Sequence, residues 1–222
     1  MPQPTALKPI SLDNADADSL LSTMHGLDGP GIGHTAHTRL RYLQKIGFPA
    51  HAQAGRGKRT VHDLQALLQL ALVFEMLDLG IVPSRAVATV KTLWPELSKT
   101  FADGWRALER GRSKAPGIGE TREERSALRE AEVEQDRKLI ILSPRALASS
   151  ETDPLAVVTA TLATERGGMT GSARGSRARA VIDPYAIVCD LARALESVLR
   201  YRHAEIAAAF QAIDSQPDAV AA

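Results

Sequence analysis

The segment 61–79 constrains the fold more than any other part of the chain. After its first turn it carries few polar side chains, chiefly Gln65, Gln69, Glu75 and Asp78. Thr60, with Asp63 three residues later, resembles a capping box, and Gly80 is a typical stop signal, so the pattern predicts a single helix. A helix that is apolar over much of its circumference needs other elements around it. We therefore expect this helix at the centre of a domain.

Four shorter helices are predicted around this segment from apolar spacing and from start or stop signals. They cover residues 17–25, 35–46, 83–93 and 95–110. Gly47 is a fitting stop for the second of them, and Pro83 and Pro95 suit the first turns of the last two.

The second half of the chain mixes strands with helices. The segments KLIIL, LAVVTATLA and RARAVI are predicted strands. Thr121 is a candidate cap for a helix through about Gln135, in a stretch where charges alternate in sign. Residues 184–213 repeat apolar side chains at helical spacing and predict one long amphipathic helix. Its stripe fits pairing with a symmetry mate or packing back on its own domain.

Composition excludes several classes of protein. No apolar run reaches the roughly 18 residues that a membrane span needs, and the first residues lack the pattern of a secretory signal. Cys189 is the only cysteine, which rules out an internal disulfide or a Cys-rich zinc site and suits a reducing cytoplasm.

The formal net charge of +1 conceals a segregated distribution. Residues 1–32 hold one lysine against four aspartates, whereas residues 33–62 hold six basic residues and no acidic one. The six are Arg39, Arg41, Lys45, Arg56, Lys58 and Arg59. Four more arginines lie in a Gly/Ser-rich stretch at 166–179. This stretch is interpreted either as a second nucleic-acid contact or as a solvated linker. Clustering of this kind indicates a polyanionic partner.

The predicted helix over 35–46 separates apolar from polar side chains. At helical spacing His34, His37, Thr38, Arg41 and Lys45 share one face, and Ala36, Leu40 and Leu43 lie roughly opposite. Such a helix fits the major groove of DNA, where Arg41 and Lys45 reach guanine edges or phosphates and Thr38 and Tyr42 bond phosphate oxygens. Arg56, Lys58 and Arg59 then lie on a glycine-rich turn that suits a hairpin wing beside the groove.

These residues resemble the winged-helix domain of MerR-type transcription regulators. The similar segments are RLRYLQKIGFP (39–49), AGRGKRTVHDLQAL (54–67) and VFEMLDLGIVPSRAVATV (73–90), within about residues 20–93. Arg41 and Tyr42 match the family's Arg-Tyr pair, and Arg59 matches its wing arginine. Val61 departs from the family's tyrosine, and the I-G-E-(L/V)-A signature of its first helix is not recognisable. The resemblance implies a homodimer that binds a roughly palindromic operator and controls transcription.

Other chemistry is less well supported by the residues. His34, His37, His51 and His62 are a possible zinc set, but six cations surround them and only Asp63 is acidic nearby. GRGKRT lacks the glycine spacing and the hydroxyl residue of a phosphate loop, and Cys189 reads as a buried structural thiol. Catalytic signatures are lacking, so we expect no enzyme, no cofactor and no metal.

The expected fold is mainly α, with a winged helix-turn-helix-like N-terminal domain and a small α+β C-terminal region that ends in a long amphipathic helix. The expected divisions are a disordered tail at 1–16, a DNA-binding domain at 17–110, a charged connector at 111–137, and a dimerisation or effector region at 138–222.

The expected function is sequence-specific regulation of transcription by a bacterial, nucleoid-associated homodimer. The expected DNA-binding residues are Thr38, Arg39, Arg41, Tyr42, Lys45, Arg56, Lys58 and Arg59. Double-stranded DNA is the expected partner, with RNA polymerase as a further contact and no membrane. Two alternatives stay open, an architectural or partition-type DNA-binding protein and a scaffold whose basic face binds an acidic protein.

Overall fold

The protein is mainly α-helical, as predicted. A computed structural model describes residues 7–27, 34–52, 60–113, 138–142, 157–161 and 180–215. Its helices are α1 (Asn14–Met24), α2 (His34–Lys45), α3 (Leu64–Asp78), α4 (Pro83–Ser113), α5 (Pro184–Ser197) and α6 (His203–Asp214), with a 3-10 turn at Ala50–Ala52. Its strands are β1 (Lys138–Leu142), β2 (Val157–Thr161) and β3 (Ala180–Ile182).

Helix α3 lies at the centre of the molecule, as its composition predicts. Eleven of its 15 residues are buried, and it packs against α4, α5 and α6. Its N-cap is Asp63, whose carboxylate accepts the backbone N–H of Ala66 at 2.8 Å, so the cap predicted at Thr60 was placed three residues too early. After the helix, Gly80 has a φ of +82°, a conformation that glycine adopts without strain.

Helix α4 is one continuous element, where the sequence predicted two helices separated before Pro95. Proline is normally a helix breaker because it lacks a donor and its ring crowds the carbonyl four residues earlier. Here Pro95 lies on the exposed side. The apolar side chains that follow, Leu97, Phe101 and Trp105, are buried in the core and hold the second half of the helix in line with the first.

The segment before α1 belongs to the fold, although a disordered tail was expected through residue 16. Ile10 and Leu12 are buried, and Leu12 forms an antiparallel bridge with His62 just before α3. Asp13 then caps α1 by accepting the backbone N–H groups of Ala15 and Asp16. Apolar residues at alternate positions 10 and 12 were the available sequence signal for this short extended segment.

The three predicted strands form one antiparallel sheet in the order β2–β1–β3. In its register Ile140 lies opposite Thr159 on one side and Ile182 on the other. Ile140 and Ile182 belong to the core, and β1 contacts both α4 and α5. The sheet therefore covers one side of the helical core.

The long C-terminal helix predicted over 184–213 is two helices, α5 and α6, with a break between Ser197 and His203. Arg200 has a φ of 59°, which ends the helical path, and Tyr201 turns into the core. There the Tyr201 hydroxyl lies 3.3 Å from the backbone nitrogen of Ser11, almost the whole chain away. The apolar stripe packs on α1, α3 and α4 of the same chain.

One core cluster runs from the segment before α1 through to α6. The expected boundary between a domain at 17–110 and a region at 138–222 therefore does not separate two cores in the described residues. Three of the sequence predictions lie outside the described residues. They are the basic turn at 56–59, the helix over 121–135 and the arginine cluster at 166–179. No helix in the described part of the chain is long and apolar enough to cross a bilayer.

Candidate nucleic-acid interface

Helix α2 has the two faces that the sequence predicts. Ala36, Leu40 and Leu43 are fully buried against the core. The opposite side is exposed and presents His37, Thr38, Arg41, Tyr42 and Lys45. Tyr42 is 46% exposed, so its phenol is available to a ligand. The side chain of His34 lies outside the description.

Arg41 and Lys45 have no carboxylate next to them, unlike several other cations of the described structure. Five basic side chains outside α2 lie next to carboxylates: Arg106 bonds Asp103 and Asp214, Arg112 bonds Glu196, Lys138 bonds Asp103, Arg193 bonds Asp190, and Arg202 bonds Glu205. Neither Arg41 nor Lys45 has such a partner among the described residues. No acidic residue occurs in α2 itself. Their charge is therefore available to an anion.

Arg39 points away from this surface, although we expected it among the DNA-binding residues. Its guanidinium lies 2.6 Å from the Asp78 carboxylate at the end of α3 and 5.7 Å from the centre of the Phe74 ring. One turn of a helix is 3.6 residues, so a residue two positions from Arg41 faces the other side. Arg39 therefore ties α2 to α3.

Asn14, the first residue of α1, holds the other end of α2. Its side-chain oxygen accepts from Gln44 Nε2 at 2.7 Å and lies 2.9 Å from Nε2 of the buried His62. An amide oxygen only accepts, so the His62 ring donates through Nε2. One side chain thus links α1, α2 and the segment that leads into α3.

A third contact joins α1 and α2 at the surface, where His37 Nδ1 lies 3.2 Å from Asp18 Oδ2. His37 and His62 therefore have different partners and do not form the zinc set considered from the sequence. Within the described residues no group of His, Cys, Asp and Glu could hold a metal ion.

A buried histidine at the C-terminal end of α1 connects this helix to α3. His25 is 4% exposed in its side chain, its Nδ1 lies 3.4 Å from Asp78 Oδ2 and 3.7 Å from Glu75 Oε1, and its ring contacts Phe74. Burial lowers the pKa of His25, and Asp78 opposes that shift. Burial also raises the pKa of Glu75, with Asp78 and Asp190 contributing in the same direction.

The sequence predicts the exposed face of α2 but not the residues that hold it. Asn14, Asp18 and Asp78 make these contacts, and each lies at least 19 positions from its partner in α2. Asp78 carried a weak signal, since it is one of the few polar residues of an otherwise apolar helix. Cys189 is partly exposed, so it is less enclosed than we expected.

Comparison with known proteins gives no further constraint. No family model, no curated protein and no solved structure matches the chain. The geometry of the described residues is therefore the basis for the functional argument.

Proposed function

We propose that the protein binds double-stranded DNA through the exposed face of α2 and regulates transcription at specific sites. The observation that carries this proposal is the pair of exposed cations Arg41 and Lys45, which have no carboxylate partner among the described residues. Thr38 and Tyr42 lie beside them on the same exposed side. A face that combines cations with hydroxyl groups has the donors that phosphates and base edges accept.

The dimensions of α2 fit this role. Twelve residues give a helix about 18 Å long, and the major groove is wide enough, at about 12 Å, to admit one helix. In the proposal Arg41 and Lys45 donate to guanine edges or phosphates, and Thr38 and Tyr42 bond phosphate oxygens. Arg39 is not part of this set because Asp78 already holds it.

The arrangement of α1 and α2 supports a helix-turn-helix reading of the N-terminal half. Both helices are short and pack on each other, and α1 also packs on α5. His25 and Arg39 connect the pair to Asp78 at the end of α3. The contacts of Asn14, His37 and Arg39 fix α2 in one orientation. A recognition helix has to be fixed in this way because its base contacts depend on its angle in the groove.

The support for the proposed wing contacts and for the proposed dimer comes from the sequence. In the proposal Arg56, Lys58 and Arg59 contact the DNA backbone beside the groove, as the resemblance to MerR-type regulators implies. That resemblance also implies a homodimer on a roughly palindromic operator. Contact with RNA polymerase and a cytoplasmic location at the nucleoid are further parts of the proposal. Helix α5 buries its stripe in its own core, so a dimer has to form through another surface.

A binding selection tests the proposal with the full-length protein. Fragmented genomic DNA is mixed with the protein at several salt concentrations, and bound fragments are sequenced. Specific regulation predicts a small set of enriched sites whose advantage over random duplex survives raised salt.

Two other outcomes identify the alternatives. Binding with a steep salt dependence and no enriched site indicates an architectural protein. Absence of binding to any duplex at low salt refutes the proposal and leaves the scaffold with an acidic protein partner.

A further inference from the structure

His25 and Arg39 contact the same two side chains. His25 Nδ1 lies 3.4 Å from one oxygen of Asp78, and an Arg39 guanidinium nitrogen lies 2.6 Å from the other. The rings of His25 and Phe74 are 5.2 Å apart, and the Arg39 guanidinium lies 5.7 Å from the same Phe74 ring. A change in the charge or position of His25 therefore affects Arg39 through the Asp78 carboxylate and the Phe74 ring.

The second ring nitrogen of His25 has a different environment. Its Nε2 atom is buried and has no hydrogen-bond partner among the described residues. In the neutral ring Nδ1 donates towards Asp78, and Nε2 carries only a lone pair. A second proton would create a buried donor without an acceptor, which is costly.

The charges around His25 come from three elements. Glu75 and Asp78 face it from α3, Arg39 from α2 and Asp190 from α5. The carboxylates favour a protonated ring, whereas burial and the neighbouring guanidinium oppose it. Burial is the larger effect, and it lowers the pKa of His25. The ring is therefore neutral at pH 7 and gains its proton only in acid.

Proton uptake by His25 has two consequences for Arg39. A charged ring repels the guanidinium and competes with it for Asp78, which accepts from both sides. The unpaired Nε2–H has to move towards water or an acceptor, which takes the ring off Phe74. Each change weakens a contact that ties α2 to α3.

We propose that neutral His25 holds α2 in its position against α3 and that protonated His25 loosens this attachment, so that acid lowers the affinity of the protein for DNA. We call this arrangement the His25 latch. The latch is a property of the free protein, and its effect on affinity rests on the function proposed above.

The first test needs no DNA. The side-chain Nε–Hε signal of Arg39 and the ring signals of His25 are followed by NMR from pH 7.5 downwards until the His25 signals have titrated. The latch predicts that both shift with one common midpoint below pH 6.5, while the fold persists by far-UV circular dichroism. An Arg39 signal that stays fixed while His25 titrates overturns the latch.

The second test measures affinity for an enriched duplex at pH 7.5 and at one pH unit below the His25 midpoint found by NMR, with wild type, His25→Asn and His203→Asn. His203 is the control because it lies at the start of α6, away from α2. Asparagine keeps a donor near the position of Nδ1 and removes the titration. Between these two pH values we expect wild type and His203→Asn to lose at least about threefold in affinity relative to His25→Asn, within the limit of about tenfold per pH unit that one linked proton sets. Parallel pH profiles for wild type and His25→Asn overturn the proposal.

Asp78→Asn serves if His25→Asn does not fold. It removes the shared carboxylate, so we expect Arg39 signals that no longer follow the His25 midpoint and weaker binding already at pH 7.5. Unchanged coupling in this variant refutes the latch. If wild type binds no duplex at either pH, the proposed function fails, and the NMR titration still decides the latch.

Discussion

Arg39 and Arg41 are two positions apart on α2 and lie in opposite environments. Arg39 is 24% exposed in its side chain and bonded to Asp78, whereas Arg41 is exposed and has no carboxylate partner among the described residues. The sequence places both in one basic segment and does not separate their roles. Once Leu40 and Leu43 are known to be buried, helical geometry shows that Arg39 and Arg41 face different sides of α2. The partner of Arg39 could not be predicted in this way because Asp78 lies in another helix.

A pair of substitutions tests this division of roles. Arg39→Gln removes an ion pair and a contact with an aromatic ring, so we expect the free energy of unfolding to fall by about 1 kcal/mol. Arg41→Gln is the matched control and should change it by less than about 0.5 kcal/mol. Urea unfolding at pH 7 measures both. Equal losses would show that Arg41 also has a structural role.

Glu205 gives a pH-dependent prediction at the residue scale. It accepts from the Arg202 guanidinium and the Arg202 backbone N–H, both at 2.8 Å, and these bonds lower the pKa of Glu205 to about 2. Because the folded pKa lies below the unfolded value of 4.5, the stabilisation is complete above pH 4.5 and is lost as the pH falls to about 2.

Glu205→Gln should therefore reduce the loss of stability between pH 5 and 3. Unfolding free energies at the two pH values measure the effect, and Glu96→Gln, an exposed position on α4, is the control. We expect the control to keep the acid dependence of the wild type, and an undiminished dependence in Glu205→Gln would refute this role.

Local signals at the scale of the helix predicted where α1, α2 and α3 lie to within a few residues. The glycines at positions 47 and 80 and the apolar spacing act over a single turn, so they can be recognised without the fold. The cap of α3 was predicted at Thr60, three residues before the observed cap at Asp63. Two local signals were misleading. Pro95 did not end α4, and residues 198–202 broke the C-terminal helix without a glycine or proline, because long-range packing of Trp105 and Tyr201 decides both.

Pro95→Ala tests how α4 tolerates its proline. Because the side chain is exposed, alanine restores a backbone donor and costs no packing, so we expect a gain in unfolding free energy of about 1 kcal/mol or more. Thermal unfolding measures it, with the exposed Thr92→Ala as control. A loss of stability in Pro95→Ala would show that the proline shapes the helix to fit the core.

At the scale of the whole molecule, the described residues of both expected regions contribute to one core cluster. The join is the contact of α4 with α5, at Gly104. A Cβ atom there would lie 3.4 Å from the backbone of Tyr185 and 3.5 Å from Val188. The sequence shows the two apolar stripes but not that they pack on each other, since their separation in the chain is large.

Gly104→Val tests the single core. We expect a loss of about 2 kcal/mol, since the larger side chain has to push α5 away from α4. Gly104→Ala is the matched control. Its Cβ atom makes only ordinary van der Waals contacts, so we expect little change in the free energy of unfolding. Unfolding followed by tryptophan fluorescence and by far-UV circular dichroism should give one coincident transition. Two separate transitions in the wild type would show independent domains.

In the proposed function, DNA binds to the exposed face of α2. A titration of labelled duplex by fluorescence anisotropy at several salt concentrations tests this binding, with wild type, Arg41→Gln/Lys45→Gln, and Lys91→Gln/Arg193→Gln. The last variant removes the same charge from exposed positions on α4 and α5. We predict that the α2 variant loses at least about tenfold in affinity and that its salt slope falls by about 2, while the control stays close to wild type. Equal losses in the two double variants would contradict the assignment of α2.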